Sequence, residues 1–464
     1  INLSKENSTG IFTKDDAVAK NETGANINLE EKNSVGIFGL ASAAGKKIDL
    51  TNNGTVTLKG EGSTGIFASN IENPIGSGIY TGALTDSSIK NTGIITLDAK
   101  KTVGIYTPKS NISKVGNIIM TNKADSSVGV YLTQDAKADG TGSVIDLNSN
   151  SQNQVAYYIK GNGTILNSIG DIKGYGVGVY LDGTNSTGTA LATPAQLNAP
   201  ALDFVSGSST QGKGMIGLLL KGNTDISTYT GGITVGDSAL GGNSGDFYAI
   251  GIYTDGQGIP GTPATQTTPR VLGTPKTIST AITTGANGVG LFAENSSNIT
   301  YTGTMNIGDN KVAGTGIYVG NGGTKASEVT IASGATINLK GSNGVGAIVT
   351  TGATVDFQSG AKIEFGGDGV GIFAQKGGHI IDNGGTLVTN KHSVERTRVT
   401  EGSSETAHDL TVAIGNALDT GNILSHVING EAIIQTGVTV EAKPSTENII
   451  GLMADGNSNP GLPW

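Results

Sequence analysis

The chain has 464 residues, 29 basic against 38 acidic side chains, 74 glycines, 11 prolines and no cysteine. Its length exceeds a single globular core of roughly 250–300 residues, and the missing cysteine excludes a disulfide framework, thiolate metal sites and thiol catalysis. The net charge of −9, with arginine only at Arg270, Arg396 and Arg398, offers no basic stripe for nucleic acid or an anionic membrane, and no apolar run approaches the ~20 residues of a membrane helix.

One short phrase recurs from end to end. Gly10-Ile11-Phe12 returns as Gly36-Ile37-Phe38, Gly65-Ile66-Phe67, Gly78-Ile79-Tyr80, Gly104-Ile105-Tyr106, Gly129-Val130-Tyr131 and Gly178-Val179-Tyr180. It continues as Gly217-Leu218-Leu219, Gly251-Ile252-Tyr253, Gly290-Leu291-Phe292, Gly316-Ile317-Tyr318, Gly346-Ala347-Ile348, Gly371-Ile372-Phe373 and Gly451-Leu452-Met453. Ala156-Tyr157-Tyr158 is a further copy with the glycine lost. A spacing of about 25–30 residues is the signature of a stacked repeat.

The unit around the phrase reads as three short strands. From Ile48 to Leu58 apolar residues alternate, Asn53-Gly54 marks a turn, alternation resumes, and a glycine and serine corner leads into Gly65-Ile66-Phe67. The pattern recurs from Ile89 to Gly104 and from Val329 to Gly346. Three strands per coil, each coil pairing with the next at ~4.8 Å, make a right-handed parallel β-helix. The copies imply about 14–17 coils.

The phrase has two faces. One carries the residue before the glycine and the first and third after it, as in Val35, Ile37 and Gly39 or Val289, Leu291 and Ala293. This aliphatic face reads as the core, with Ile37, Ile66, Ile105, Val130, Ile317 and Ile372 in one interior column. The aromatics then form an outer ladder lying over the glycines. The reverse assignment, aromatics inside, stays open, because both faces are apolar at their centres.

Three stretches break the period. Asp182 to Lys213 and Asp255 to Lys276 read as loops inserted in a β-helix over 1–390, and 391–436 reads as an inserted subdomain before a resumed coil at 437–464. From Lys391 to Pro463 there is no Phe, Tyr or Trp, so the ladder is expected to stop. Thr406 and Asp409 before Leu410, Ala413, Ile414, Ala417 and Leu418 predict a short helix over 407–419. Arg396 and Arg398 alternate, so they form either a fork for carboxylate or phosphate groups or an anchor to an acidic coil. With His392, His408 and Arg270 they are the candidate binding residues.

No cluster announces a reaction. Gly236-Asp237-Ser238 resembles a nucleophile motif, but all four histidines lie beyond residue 378 and Ala239 stands where a glycine is expected. Gly241 to Asp246 and Gly366 to Gly369 resemble calcium repeats but occur singly, and the acidic residues are scattered through turns. No catalytic residue, cofactor or metal is therefore expected. The aromatic ladder reads as packing, with sugar stacking as the alternative.

Asn53-Gly54-Thr55-Val56-Thr57-Leu58 with Ser63-Thr64-Gly65-Ile66-Phe67-Ala68 resembles the passenger domains of large fusobacterial autotransporter adhesins of the type V secretion family. The likeness covers residues 1 to about 390 and weakly the last coil; the lysine-heavy, arginine-poor usage is similar too. It implies a long β-helix exported through a C-terminal outer-membrane barrel to the cell surface. There it would bind host-cell receptors or glycans, or another bacterium in coaggregation, as a monomer. Ile1 opens inside a repeat and no leader or barrel is among these residues, so the chain reads as a fragment. A carbohydrate-active β-helix enzyme of tailspike or lyase type and a purely structural stalk are the alternatives.

Overall fold

The chain folds as an all-β parallel solenoid. The computed structural model describes residues 1–455 except 43–45, 70–86, 109, 134, 148–152, 186–187, 189, 200–201, 204–214, 230, 243–244, 257–274, 321–326, 390–393, 401–402, 408–410, 415–422, 429–430, 435–438 and 443–449. Each pass contributes one strand to a long parallel sheet of 16 strands, from Thr9–Lys14 to Ile450–Asp455. The other two strands of each pass build flanking sheets, so the cross-section has three sides, consistent with the right-handed β-helix expected. There is no helix among the described residues.

The inner column of the long sheet runs in register through Ile11, Ile37, Ile66, Ile105, Val130, Tyr157, Val179, Leu218, Ile252, Leu291, Ile317, Ala347 and Ile372. All but the end residue Ile11 are fully buried. Fully burying one such aliphatic side chain contributes roughly 1.5–3 kcal/mol, and no single coil can shield its own, so the stack is the core. Tyr157 is the one aromatic in this column, and its hydroxyl donates to the Ile169 carbonyl at 2.8 Å.

The aromatics stand on the outer side, half-buried, and this resolves the choice the sequence leaves open. Phe38, Phe67, Tyr106, Tyr131, Tyr158 and Tyr180 share one register column. Phe38, Phe67 and Tyr106 stack nearly parallel, with centroids 5.1 and 4.9 Å apart.

The glycine, however, does not lie beneath these rings. A Cβ on Gly36 would sit 2.6 Å from the Gly65 carbonyl oxygen and 2.9 Å from the buried Val56 side chain. The glycine therefore faces inward, as does the isoleucine after it, while Val35 and Val289 are half-buried rather than core. Pairing steps from Val35 to Ile37 and skips the glycine. The chain bends there, and two successive residues point in because only a hydrogen fits against the next coil's backbone.

Several corners before the phrase use a left-handed residue, such as Asn33 (φ 55°), Lys101 (φ 55°) or Ser126 (φ 55°). The serine after it bridges coils: Ser34 N–H donates to Ser63 Oγ at 3.1 Å, and Thr102 N–H to Ser127 Oγ at 3.0 Å. The asparagine turn also stacks. Asn21 Nδ2 donates to Asn52 at 2.8 Å, Asn52 to Asn91 at 2.8 Å, and Asn91 to the Val115 carbonyl at 2.7 Å.

Two expectations are corrected. The phrase copy Gly78-Ile79-Tyr80 lies outside the described residues, and Ile66 registers directly on Ile105 with no rung between. The stretch 391–436 holds further rungs of the rod: Val394–Thr400 pairs with the strand Gly369–Gln375 on one side and with Ile423–Ile428 on the other. Within the expected helix, Thr411–Ile414 is a strand pairing in parallel with Thr439–Ala442. Short apolar runs fit either period, and pairing with a neighbouring coil decided it; the rest of 408–419 lies outside the described residues.

Candidate functional site

The three sides of the rod are not equally continuous. Among the described residues the long sheet runs unbroken, but both flanking sheets stop and restart near the middle. One ends at Asp171–Lys173 and its successor begins at Leu202–Asp203; the other ends at Thr224–Asp225 and its successor begins at Lys276–Ile278. The flanking strands between these limits include three of only two residues: Leu202–Asp203, Thr224–Asp225 and Ile233–Thr234.

The chain leaves the regular path at the same place. Both stretches expected as insertions, 182–213 and 255–276, fall here. Parts of the first are flanking strands, Ala195–Asn198 and Leu202–Asp203, while 204–214 and 257–274 lie outside the described residues. An antiparallel hairpin, Ala239–Gly242 with Gly245–Phe247, departs from the rod, and Tyr248 after it is 49% exposed. Its base is pinned by the residues that resembled a nucleophile motif. Ser238 Oγ donates to the Asn287 carbonyl at 2.7 Å and accepts the Ala249 N–H at 2.9 Å, and Asp237 accepts the Ala286 N–H at 3.0 Å. These side chains are clamps between coils.

A charged column flanks the ladder here. Lys160, Asp182, Lys221, Asp255 and Glu294 follow one another in register. Asp182 is 4% exposed and accepts from the Tyr158 hydroxyl, from Lys160 Nζ at 2.9 Å, and from Thr184 N–H and Oγ1 at 2.9 and 2.6 Å. Burial works to raise its carboxyl, and the donors from Thr184, Tyr158 and Lys160 outweigh that and hold it below the usual carboxylate range. Glu294 accepts from the Tyr253 hydroxyl, and Asp255 from Asn295 Nδ2 at 2.9 Å. Burial pushes the Tyr131 phenol up to about 12, and Tyr158, Tyr180 and Tyr253 are raised as well, by burial first and then by these carboxylates. Asp182 and Glu294 are thus engaged with ladder phenols, and Asp255 with an amide.

The stacked stretches of the ladder offer little to a sugar. Tyr253, Phe292 and Tyr318 stack at 5.0 and 4.6 Å with planes within 10° of parallel, so their faces are covered by one another. The column is interrupted by Leu219, between Tyr180 and Tyr253, and by Ile348, between Tyr318 and Phe373.

The two described arginines serve the rod. Arg396 takes the glycine position of its coil and is 4% exposed. Its Nε and Nη2 reach Asp382 at 2.7 and 2.8 Å, Nη2 reaches the Gly385 carbonyl at 2.7 Å, and the guanidinium lies 5.5 Å from the Phe357 ring centre. Arg398 takes the aromatic position, 5.8 Å over the Phe373 ring, and pairs with Glu395 at 2.6 and 2.7 Å. They point to different sides and both are neutralised within the rod, so they form no fork for an outside ligand. His392, His408 and Arg270 lie outside the described residues. Asp368, in the Gly366 to Gly369 turn, accepts the Asn343 N–H at 3.1 Å, and no group of metal-ligating residues occurs among the described residues.

A scan against protein-family models finds no match, and a search of curated proteins finds none. Among solved structures, a double mutant of the tailspike protein of E. coli bacteriophage HK620 is similar over 90% of this chain and 74% of that one, at 9% identity and a TM-score of 0.20. That score is too low to carry an argument.

Proposed function

We propose that this chain is a stretch of a cell-surface autotransporter passenger that acts as an adhesin, binding a glycan or protein receptor on host cells or on a partner bacterium. The observation that supports this reading is the mid-rod junction. The regular coils repeat one surface, whereas the antiparallel hairpin Ala239–Gly242 with Gly245–Phe247 and exposed Tyr248 stand where the flanking sheets break. A distinctive shape set apart from the repeating coils suits recognition. Loop excision tests it: the hairpin 239–247 and residues 257–274 are each replaced by a short glycine–serine linker, folding is checked by circular dichroism, and adhesion and coaggregation are scored. At least a tenfold loss of adhesion is expected from one excision. Full adhesion by both folded variants would place binding elsewhere. Release of reducing ends from surface polysaccharides by the intact chain would instead favour a carbohydrate-active enzyme.

A further inference from the structure

We propose that the rod bends at its middle, between Asp171 and Ile278, with the long sheet as the hinge leaf and Lys276 as the staple that limits the bend. The proposal concerns mechanics and stands whether or not the junction binds a receptor.

Three observations carry it. The first is the discontinuity. In a stack where each coil contacts only its neighbours, stiffness comes from the ladders joining them. Among the described residues between Asp171–Lys173 and Lys276–Ile278, each flanking side loses one ladder, at places two coils apart, and the long sheet crosses both breaks.

The second is that the leaf is reinforced where the flanks fail. The long-sheet strands Gly176–Gly183 and Met215–Gly222 have eight residues each, against six in most of the coils before them. They pair over their whole length, from Gly176 on Met215 to Gly183 on Gly222. An extended leaf with shortened flanks bends about the leaf, opening and closing on the flank side.

The third is the link across one break. The strands Thr224–Asp225 and Lys276–Ile278 are not paired, but Lys276 Nζ donates to the Gly222 carbonyl and to Thr224 Oγ1, both at 2.8 Å. One side chain thus replaces the missing ladder. Lys276 keeps some exposure along its stem, but its ammonium is enclosed, and burial lowers its pKa to about 8 against the opposing pull of Asp225 and Asp255. A single flexible tether holds a gap closed less firmly than a ladder of backbone hydrogen bonds.

The chain has no cysteine, so introduced cysteines can be spin-labelled without background. Lys90 and Lys340 are exposed on opposite sides of the junction, and Asp49 and Asp171 are exposed within the first stack. Pulsed dipolar distances are recorded for Lys90→Cys with Lys340→Cys and for Asp49→Cys with Asp171→Cys. The cross-junction distribution is expected to be at least twofold broader per unit length than the one within the stack. Equal widths overturn the hinge. Adding Lys276→Met should broaden the cross-junction distribution further, and Lys276→Arg should restore it; an unchanged width in folded Lys276→Met removes the staple from the account. If Lys276→Met fails to fold, the comparison of the two label pairs in the otherwise native chain still decides the hinge.

Discussion

The coil built from Val35–Leu40, Asp49–Asn52 and Thr55–Leu58 and the coil built from Met215–Gly222, Thr224–Asp225 and Ile233–Thr234 follow the same course with different support. In the first, every strand is paired on both sides: Leu50 sits between Ala19 and Ile89, and Val56 between Ile27 and Ile95. In the second, Thr224 pairs back to Ala195 and has no ladder forward, while the long-sheet strand is the longer by two residues. The inner column, Ile37 in one and Leu218 in the other, is fully buried in both. The apolar column keeps the fold, and the flanking ladders set how stiff it is.

The largest expected effect attacks the column itself. Ile105→Asp should cost roughly 3–5 kcal/mol in local stability, because a buried carboxylate there finds neither water nor a partner. Chemical denaturation with hydrogen exchange should show the loss around residues 94–133, and an unchanged unfolding curve would remove the column from its place as the core. A comparable loss, about 3 kcal/mol, is expected from Asp382→Asn, which leaves Arg396 buried with its charge unbalanced. It should appear in the coils around 380–400 and leave those around 35–58 untouched; a uniform loss would mean that the two ends are not separable.

A pH series sharpens the view of the junction. Lys276 titrates near 10.5 unfolded and at about 8 folded, so the unfolded state holds the extra proton between these values. Stability should therefore climb from about pH 8 toward pH 10, by at most about 3 kcal/mol. Ladder phenols act in the opposite sense: Tyr131 titrates near 10 unfolded and at about 12 folded, so stability falls beyond about pH 10. Lys276→Met should abolish the rise and keep the fall, as read by thermal melts in matched buffers. The smallest effect is a repair. Leu219→Tyr completes the column between Tyr180 and Tyr253 and should add about 0.5–1.5 kcal/mol through ring stacking, read by chemical denaturation; no gain would deny the ladder a share in stability.

Much of this was legible in the residues. The shared phase of Ile37, Ile66 and Ile105 fixed the interior column, and the Asn53-Gly54 turn marked the corner where Asn52 stacks. The glycine's inward direction was not legible, because alternation assumes a straight strand and the chain bends there. The loss of aromatics after Lys391 was misread as a loss of the rod. Arg398 takes the ring's place over Phe373, and Arg396 is balanced by Asp382, 14 residues earlier across a turn, a pairing that no period marks. The sheet breaks were also hidden, since pairing between coils depends on residues tens of positions apart.

The central claim, one apolar column with a weakened junction at its middle, is tested most directly by native-state hydrogen exchange on the unaltered chain. Backbone amides of Thr224–Asp225, Ile233–Thr234 and Lys276–Ile278 should exchange at least tenfold faster than those of Asn26–Leu29, Thr55–Leu58 and Thr336–Leu339, while the long-sheet strands Gly176–Gly183 and Met215–Gly222 stay as protected as Val35–Leu40. Equal protection in all flanking strands, or early exchange of the long sheet at the junction, would contradict it.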